Sequence, residues 1–294
     1  MKNILVPTDF SIIALNALNY ALSLFEEDKC TFYLLNAFQQ NEISTHNLFH
    51  PDLGKTTYEQ TKNGSETGLK KLMDGIVIKN DNSNHDFEMI SSYNTLGEAV
   101  KQTLENNDIS IIIIGTQGET NSKNVLFGSN TVNIIDKIKN CQLLLVPPDS
   151  IFKKNTKKEL VYATNFLSPF KYKELESLIS IATNIKAIIR VLHILENGEL
   201  TVDQENNKKD LREYLKRVEP AFHTLTNENL DTGVQSFIER RGSDMLALIH
   251  EKQSFLNKIF SGTMIDKEIR YKPQIPNFLM HDPIIQGHSF FLDS

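Results

Sequence analysis

Cysteine is scarce in this 294-residue chain. Only Cys30 and Cys141 are present, too few for a disulfide framework, and both open strand-like apolar runs where buried free thiols are expected. No apolar run approaches the ~20 residues needed to span a bilayer. The chain enters a strand at Ile4 to Val6 without the apolar stretch of a secretory leader, so a soluble, cytoplasmic protein is expected. Basic residues do not dominate. Lys and Arg number 31 against 37 Asp and Glu, a net charge of −6, which argues against a dedicated nucleic-acid surface. Also missing are the G-x4-G-K-[ST] phosphate loop, the G-x-G-x-x-G dinucleotide fingerprint and a defensible Ser-His-Asp spacing.

Strand and helix patterns do alternate along the whole chain. Residues 3 to 8 read as an apolar strand ending in Pro7, Thr8 and Asp9. Asp9 or Ser11 then caps a helix whose apolar residues are Ile12, Leu15, Leu18, Leu22 and Phe25. Strand two is Thr31 to Ala37. After a polar connection over 38–54, a helix spans roughly 55–79 despite Gly64, Gly68 and Gly75. Strand three is about 86–91, helix three 95–106, strand four 109–114 and strand five Gln142 to Val146, stopped by Pro147 and Pro148. Such alternation predicts an α/β fold with a mainly parallel sheet.

The stretch around which the rest is organised is Gly115 to Thr131, GTQGETNSKNVLFGSNT. Four consecutive isoleucines, Ile111 to Ile114, precede it and read as a strand buried on both faces. An apolar-periodic helix with Val132, Ile134, Ile135 and Ile138 follows. Glycine at 115, 118 and 128 permits positive φ and close approach to a ligand. Ser129 is placed to cap the helix, and the free N–H groups of its first turn favour an anion. The competing reading is an ordinary strand-to-helix turn.

This G-x2-G-x9-G-S spacing resembles the nucleotide loop of the ATP-binding branch of the universal stress protein family, and KNILVPTDFS resembles that family's first strand and terminal Asp. The resemblance covers nearly the whole chain as two tandem copies. It implies doubly wound parallel five-stranded sheets of order 3-2-1-4-5, with helices on both faces, akin to the adenine-nucleotide α-hydrolases. In that order strands one and four are neighbours at a topological switch point, and their carboxyl ends form one crevice. The resemblance implies ATP or AMP as the ligand, with or without Mg²⁺. Its site comprises Pro7, Thr8, Asp9, Ala37, Gly115, Gly118, Gly128, Ser129, Asn130 and Thr131. Main-chain N–H groups of the glycine loop and of Ser129 to Thr131 hold phosphates, Asp9 meets the ribose or a phosphate-bound metal, and backbone near Thr8 and Ala37 faces adenine. Asp9 as a plain helix cap and Ala37 as a strand-end packing residue remain the alternatives.

The resemblance sets the first domain at 1–148, a polar linker at 149–158, a second domain at 159–282 and a tail at 283–294. In the second domain the expected elements are strands at 159–164, 187–194, 221–226, 245–249 and 275–280, and helices at 168–184, 203–219, 229–241 and 263–271. Its chemistry departs from the first. Asn165 stands at the place of Asp9, His250 at Gly115 and Gln253 at Gly118, while Ser261 and Gly262 only loosely echo Gly128 and Ser129. This copy is expected not to bind ATP as the first does. His193, His250 and His281 each fall at the carboxyl end of an expected strand, as capped strand ends or as a repurposed anion, metal or pH-sensing pocket. His46 and His50 have i, i+4 spacing in an expected loop. In the tail, Phe290, Phe291 and Leu292 either dock or fray.

The leading functional expectation is therefore a nucleotide-binding stress-response protein with no committed reaction. A slow ATP-hydrolysing enzyme and a non-binding scaffold are the competitors. No Ser-Gly-Gly pyrophosphatase loop follows strand one. The fifth strands of the two copies are expected to pair across a pseudo-twofold axis as an internal dimer. A homodimer and an unknown signalling partner stay open.

Overall fold

The computed structural model describes residues 1–39, 53–79, 82–117, 127–170, 172–195, 198–226, 230–249 and 274–281. Its first half runs β1 (Lys2–Pro7), α1 (Ile12–Leu24), β2 (Cys30–Phe38), α2 (Leu53–Lys79), β3 (His85–Tyr93), α3 (Leu96–Asn106), β4 (Ile111–Gly115), α4 (Ser129–Lys137) and β5 (Gln142–Val146). The second runs β6 (Lys158–Ala163), α5 (Tyr172–Asn184), β7 (Ala187–Leu195), α6 (Val202–Tyr214), a 3-10 turn (Lys216–Val218), β8 (Ala221–Thr226), α7 (Leu230–Arg241), β9 (Met245–Ile249) and β10 (Asn277–Met280). The expected helix over 203–219 thus closes early. Glu219 adopts the left-handed conformation (φ 46°) before Pro220, which cannot continue a helix. The expected helix over 263–271 and the tail lie outside the described residues.

Within each half the strand order is the expected 3-2-1-4-5, all parallel, and the expected pairing of the two fifth strands joins the two sheets. β5 and β10 pair antiparallel, with Asn277 opposite Leu145, Phe278 opposite Leu144 and Leu279 opposite Leu143. The result is one ten-stranded sheet, β3-β2-β1-β4-β5-β10-β9-β6-β7-β8. The cause is an apolar strand at the edge of each half, whose unpaired N–H and C=O groups find their complement in the other. Core packing follows the pleat. Ile111 and Ile113 join the core under α1, α2 and α5, whereas Ile112 and Ile114 join the core under α3, α4 and α7. The four-isoleucine run is buried on both sides as its composition predicted.

The polar segment expected as a linker, 149–158, packs along α1. Asn16 of α1 donates to the carbonyls of Pro147 (3.2 Å) and Ser150 (3.1 Å). Phe152 meets Tyr20 edge to face at 5.6 Å. Lys154 pairs with Glu26 at 2.7 Å. The segment is a strap laid along α1, and it ends where the Asp28 carboxylate accepts from both Lys2 and Asn184.

An ion-pair cluster surrounds the start of β6. Glu159 of β6 accepts from Arg190 Nε (2.9 Å), Arg241 Nη2 (2.8 Å) and Ser243 Oγ (3.1 Å). Burial by itself would raise the Glu159 pKa, yet these hydrogen bonds hold it down at about 2, against an ordinary 4.5. A depressed folded-state pKa stabilises the protein above the ordinary value and loses that contribution as protons return. Stability is therefore expected to fall as pH drops from 4.5 towards 2. The loss is about 1–2 kcal/mol, reduced from the ~3 kcal/mol of a shift this size by solvent screening at the partly exposed arginines. Urea denaturation of Glu159→Gln and its parent at pH 7 and pH 3 checks this, because the variant should lack that part of the pH dependence.

Candidate functional site

The carboxyl ends of β1 and β4 do share a crevice. A cavity of about 240 Å³ is lined by Pro7, Thr8, Asp9, Ala37, Gly115, Gly128, Ser129, Asn130 and Thr131, together with Ala14, Leu96, Ile114 and Gln117. Every expected site residue but one is on that wall. The exception, Gly118, lies outside the described residues, as do His46, His50, His250, Gln253, Ser261 and Gly262. Leu96 and Gln117 were missed. Both follow the carboxyl end of a strand, β3 and β4, and that position was the signal available for them.

The turn after β1 is built from its own side chains. Thr8 Oγ1 accepts from the Phe10 N–H at 3.0 Å, and Asp9 Oδ1 accepts from the Ser11 N–H at 3.0 Å. Ser11, not Asp9, is the N-cap of α1, its side chain accepting from the Ala14 N–H. Asp9 thus stays exposed, with one carboxylate oxygen engaged by the turn. Phe10 sits at φ 64°, a conformation that strains a bulky residue by about 1–3 kcal/mol. Its ring lies against Gly68 of α2, where an added Cβ would come within 2.5 Å of it. Asn36 of β2, buried, donates from Nδ2 to the Thr8 carbonyl at 2.7 Å and holds the turn from behind.

Two expectations about the glycine loop need correction. Gly115 and Gly128 are not at positive φ: Gly128 has φ −61° and ψ 154°, and the only described positive-φ glycines are Gly198 and Gly242. What Gly115 supplies is room, since a Cβ there would stand 2.8 Å from Ile13 Cγ2 and 3.4 Å from the Ile13 carbonyl. Nor does Ser129 cap α4. Ser129 is the first helical residue, and the N-cap is Gly128, which offers no side-chain acceptor. The contrast with α1, α3 and α6 is sharp, because Ser11, Thr95 and Thr201 each cap their helix through a side-chain oxygen. The Thr131 hydroxyl is used elsewhere, donating to the buried Gly115 carbonyl at 2.9 Å and latching α4 onto β4. The start of α4 therefore presents N–H groups with no cap of their own to the cavity, an arrangement suited to an anion.

The pattern of the Universal stress protein family matches residues 1–147, half of the chain. The chain belongs to the universal stress protein family. Universal stress protein MJ0577 of Methanocaldococcus jannaschii is 31% identical over 144 residues, covering 46% of this chain and 89% of that one. Over the full length the likeness is one of fold. A universal stress protein from Archaeoglobus fulgidus superposes with a TM-score of 0.57 at 14% identity, covering 95% of this chain and 96% of its own. A functionally unknown protein, PA1789 from Pseudomonas aeruginosa, gives 0.58 at 10% identity, covering 96% and 93%.

This universal stress protein repeats the turn in its second half and alters what surrounds it. Thr164 Oγ1 accepts from the Phe166 N–H at 3.3 Å, and Asn165 Oδ1 accepts from the Leu167 N–H at 3.1 Å. Phe166 is again at positive φ, 55°. His193 takes the place of Asn36. A carbonyl only accepts, so His193 Nδ1 carries the proton it donates to the Thr164 carbonyl at 3.0 Å. Burial pushes this imidazole below its ordinary pKa, against the opposing effect of that hydrogen bond. Phe166, exposed to 1%, lies on the imidazole at 4.8 Å between centroids. Gln204 and Asn207 of α6 bind the carbonyls of Asn165 (2.9 Å) and Phe166 (2.8 Å). Where the first half leaves Phe10 exposed, the second buries its counterpart Phe166 and clamps the turn from α6. His193 and His281 do not form a pocket together. β6 and β9 stand between β7 and β10, which puts the two rings three strand spacings, about 14 Å, apart. Among the described residues no group of three or more His, Cys, Asp or Glu is placed to hold a metal, and no helix is long and apolar enough to cross a membrane.

Proposed function

We propose that this chain is an adenine-nucleotide-binding regulatory protein of the stress response, holding ATP or AMP, with or without Mg²⁺, at the mouth of residues 1–148. The observation that carries the reading is the start of α4. Gly128 brings no acceptor, and the N–H groups of Ser129, Asn130 and Thr131 open on a cavity shared with Asp9 and Gly115. These groups and the helix dipole bind phosphate oxygens. Asp9 meets the ribose hydroxyls or a phosphate-bound metal, and Ala37 with Leu96 forms the apolar wall for the base. The likeness to MJ0577 over the same half supports the reading. Residues 159–282 are the degenerate fused partner, joined through 149–158, with 283–294 as a tail. The clamped turn of that half supports its loss of nucleotide binding.

Mass spectrometry of small molecules released from the purified, denatured full chain tests this directly. Bound adenylate without turnover is the expected result. Turnover with Mg²⁺ above about 0.1 per second would move the protein towards the enzymes, whose typical rates are ~1–10³ per second. Failure to bind millimolar ATP would leave a scaffold. Asp9→Ala is expected to weaken ATP about tenfold by calorimetry, the loss of one hydrogen bond to a charged group. An unchanged affinity would reduce Asp9 to a turn former.

A further inference from the structure

A second cavity, of about 150 Å³, lies at the seam between the halves, lined by the carboxyl-terminal end of α1, by the strap and by Lys186 beyond α5. Lys158, the first residue of β6, is on its wall and only 4% exposed. Its ammonium group lies over the Phe152 ring at 4.5 Å, donates to Thr156 Oγ1 at 3.1 Å and donates to the Lys153 carbonyl. Among the described residues no carboxylate pairs with it, whereas Lys154 beside it is taken by Glu26 at 2.7 Å. A lysine this buried is almost always paired, because desolvating an ammonium costs several kcal/mol. Its surroundings add to the imbalance. The lining carries three lysines, 154, 158 and 186, against Glu26 and Glu27. Glu26 is used by Lys154, Glu27 and Lys186 are both exposed and screened by solvent, and Asp244 acts on Lys158 from beyond ion-pair distance.

We propose that this cavity is a binding site for a small phosphate-class anion, held by Lys158 and Lys186. Its size sets the class. At ~30 Å³ per water it has room for about five waters, and at about 150 Å³ it is smaller than the mouth of about 240 Å³ between β1 and β4. Inorganic phosphate or a compact phosphate ester fits, and a whole nucleotide does not. Burial also lowers the Lys158 pKa, with Asp244 opposing and Lys153 adding to the shift, the direction expected of a buried ammonium with no carboxylate in hydrogen-bond contact. The site is separate from the mouth between β1 and β4 and shares no lining residue with it. Its strap is bonded to α1, the helix that begins at that mouth, so an anion here stiffens the contact between the halves.

The test is a titration of the full chain with inorganic phosphate and with pyrophosphate at constant ionic strength. It follows the lysine ε-methylene NMR signals, assigned with Lys158→Met and Lys186→Glu. The Lys158 signal is expected to shift saturably with a millimolar or tighter dissociation constant, and Lys186→Glu to weaken binding about tenfold through charge reversal. Lys186 is exposed, so that variant keeps the fold even if Lys158→Met does not. Saturating ATP should leave the response in place, which separates this site from the nucleotide mouth. A Lys158 signal that does not move, that moves only linearly with phosphate, or that responds equally in Lys186→Glu overturns the proposal.

Discussion

Replacing Gly115 with valine is expected to weaken ATP binding about 100-fold or more, equivalent to one or two hydrogen bonds to a charged group. The new Cβ would start 2.8 Å from Ile13 Cγ2 and 3.4 Å from the Ile13 carbonyl, in the first turn of α1. The clash is with the Ile13 γ2-methyl, one bond from the Cβ of a β-branched side chain that has little rotamer freedom in a helix, so Ile13 must repack and α1 is pressed away from β4. Both walls of the mouth then change. The Asp9–Ser11 turn travels with α1, and the Thr131 latch on the Gly115 carbonyl is disturbed on the other side. Calorimetry with ATP measures the effect, with circular dichroism to establish that the variant is folded. Gly75→Ala is the control, since nothing lies within 4 Å of its Cβ position, and it should bind as the parent does. A folded Gly115→Val protein with parental affinity would detach nucleotide binding from this mouth.

Phe278→Ala is expected to destabilise the protein by about 3–5 kcal/mol, the usual range for emptying a large aromatic site in a core. Phe278 is 1% exposed and stands at the seam, opposite Leu144 of the first half and beside Ala247 of the second. Its ring is packed into the core that runs under α1 and α5 alike. Both halves should therefore lose stability together, in one shifted urea transition read by circular dichroism. Ile151→Ala, at a position 77% exposed, should change stability by less than about 0.5 kcal/mol. A loss below about 1 kcal/mol for Phe278→Ala would mean that the β5–β10 seam is a surface contact, not core.

Much of the architecture was readable before folding was considered. Ile111 to Ile114 announced a strand buried on both faces, and the alternation of apolar runs placed each described strand within a few residues. These signals are local, because the pleat repeats every two residues and the helix every 3.6. The site was legible for the same reason. Strand ends are set by Asp9 and Gly115, and the switch-point rule then brings those ends together.

Other features had no local signature. Ser129 was the expected cap because serine caps helices well, yet Gly128 holds that position with extended φ and ψ. Gly115 signalled backbone freedom and in fact provides clearance for Ile13, a neighbour that only packing supplies. The polar composition of residues 149–158 spoke for a linker and said nothing of where it packs. Their docking depends on Asn16, Tyr20 and Glu26, which the sequence places more than a hundred residues away.

Composition and period, then, were enough by themselves for an alternating α/β chain with a mainly parallel sheet. Three things were decided only in three dimensions: the packing of residues 149–158 along α1, the clamping of the second turn by Gln204 and Asn207, and the burial of Lys158 with no carboxylate in ion-pair contact. Each depends on which distant groups meet, and on whether a charge finds its complement there or must find it in a ligand.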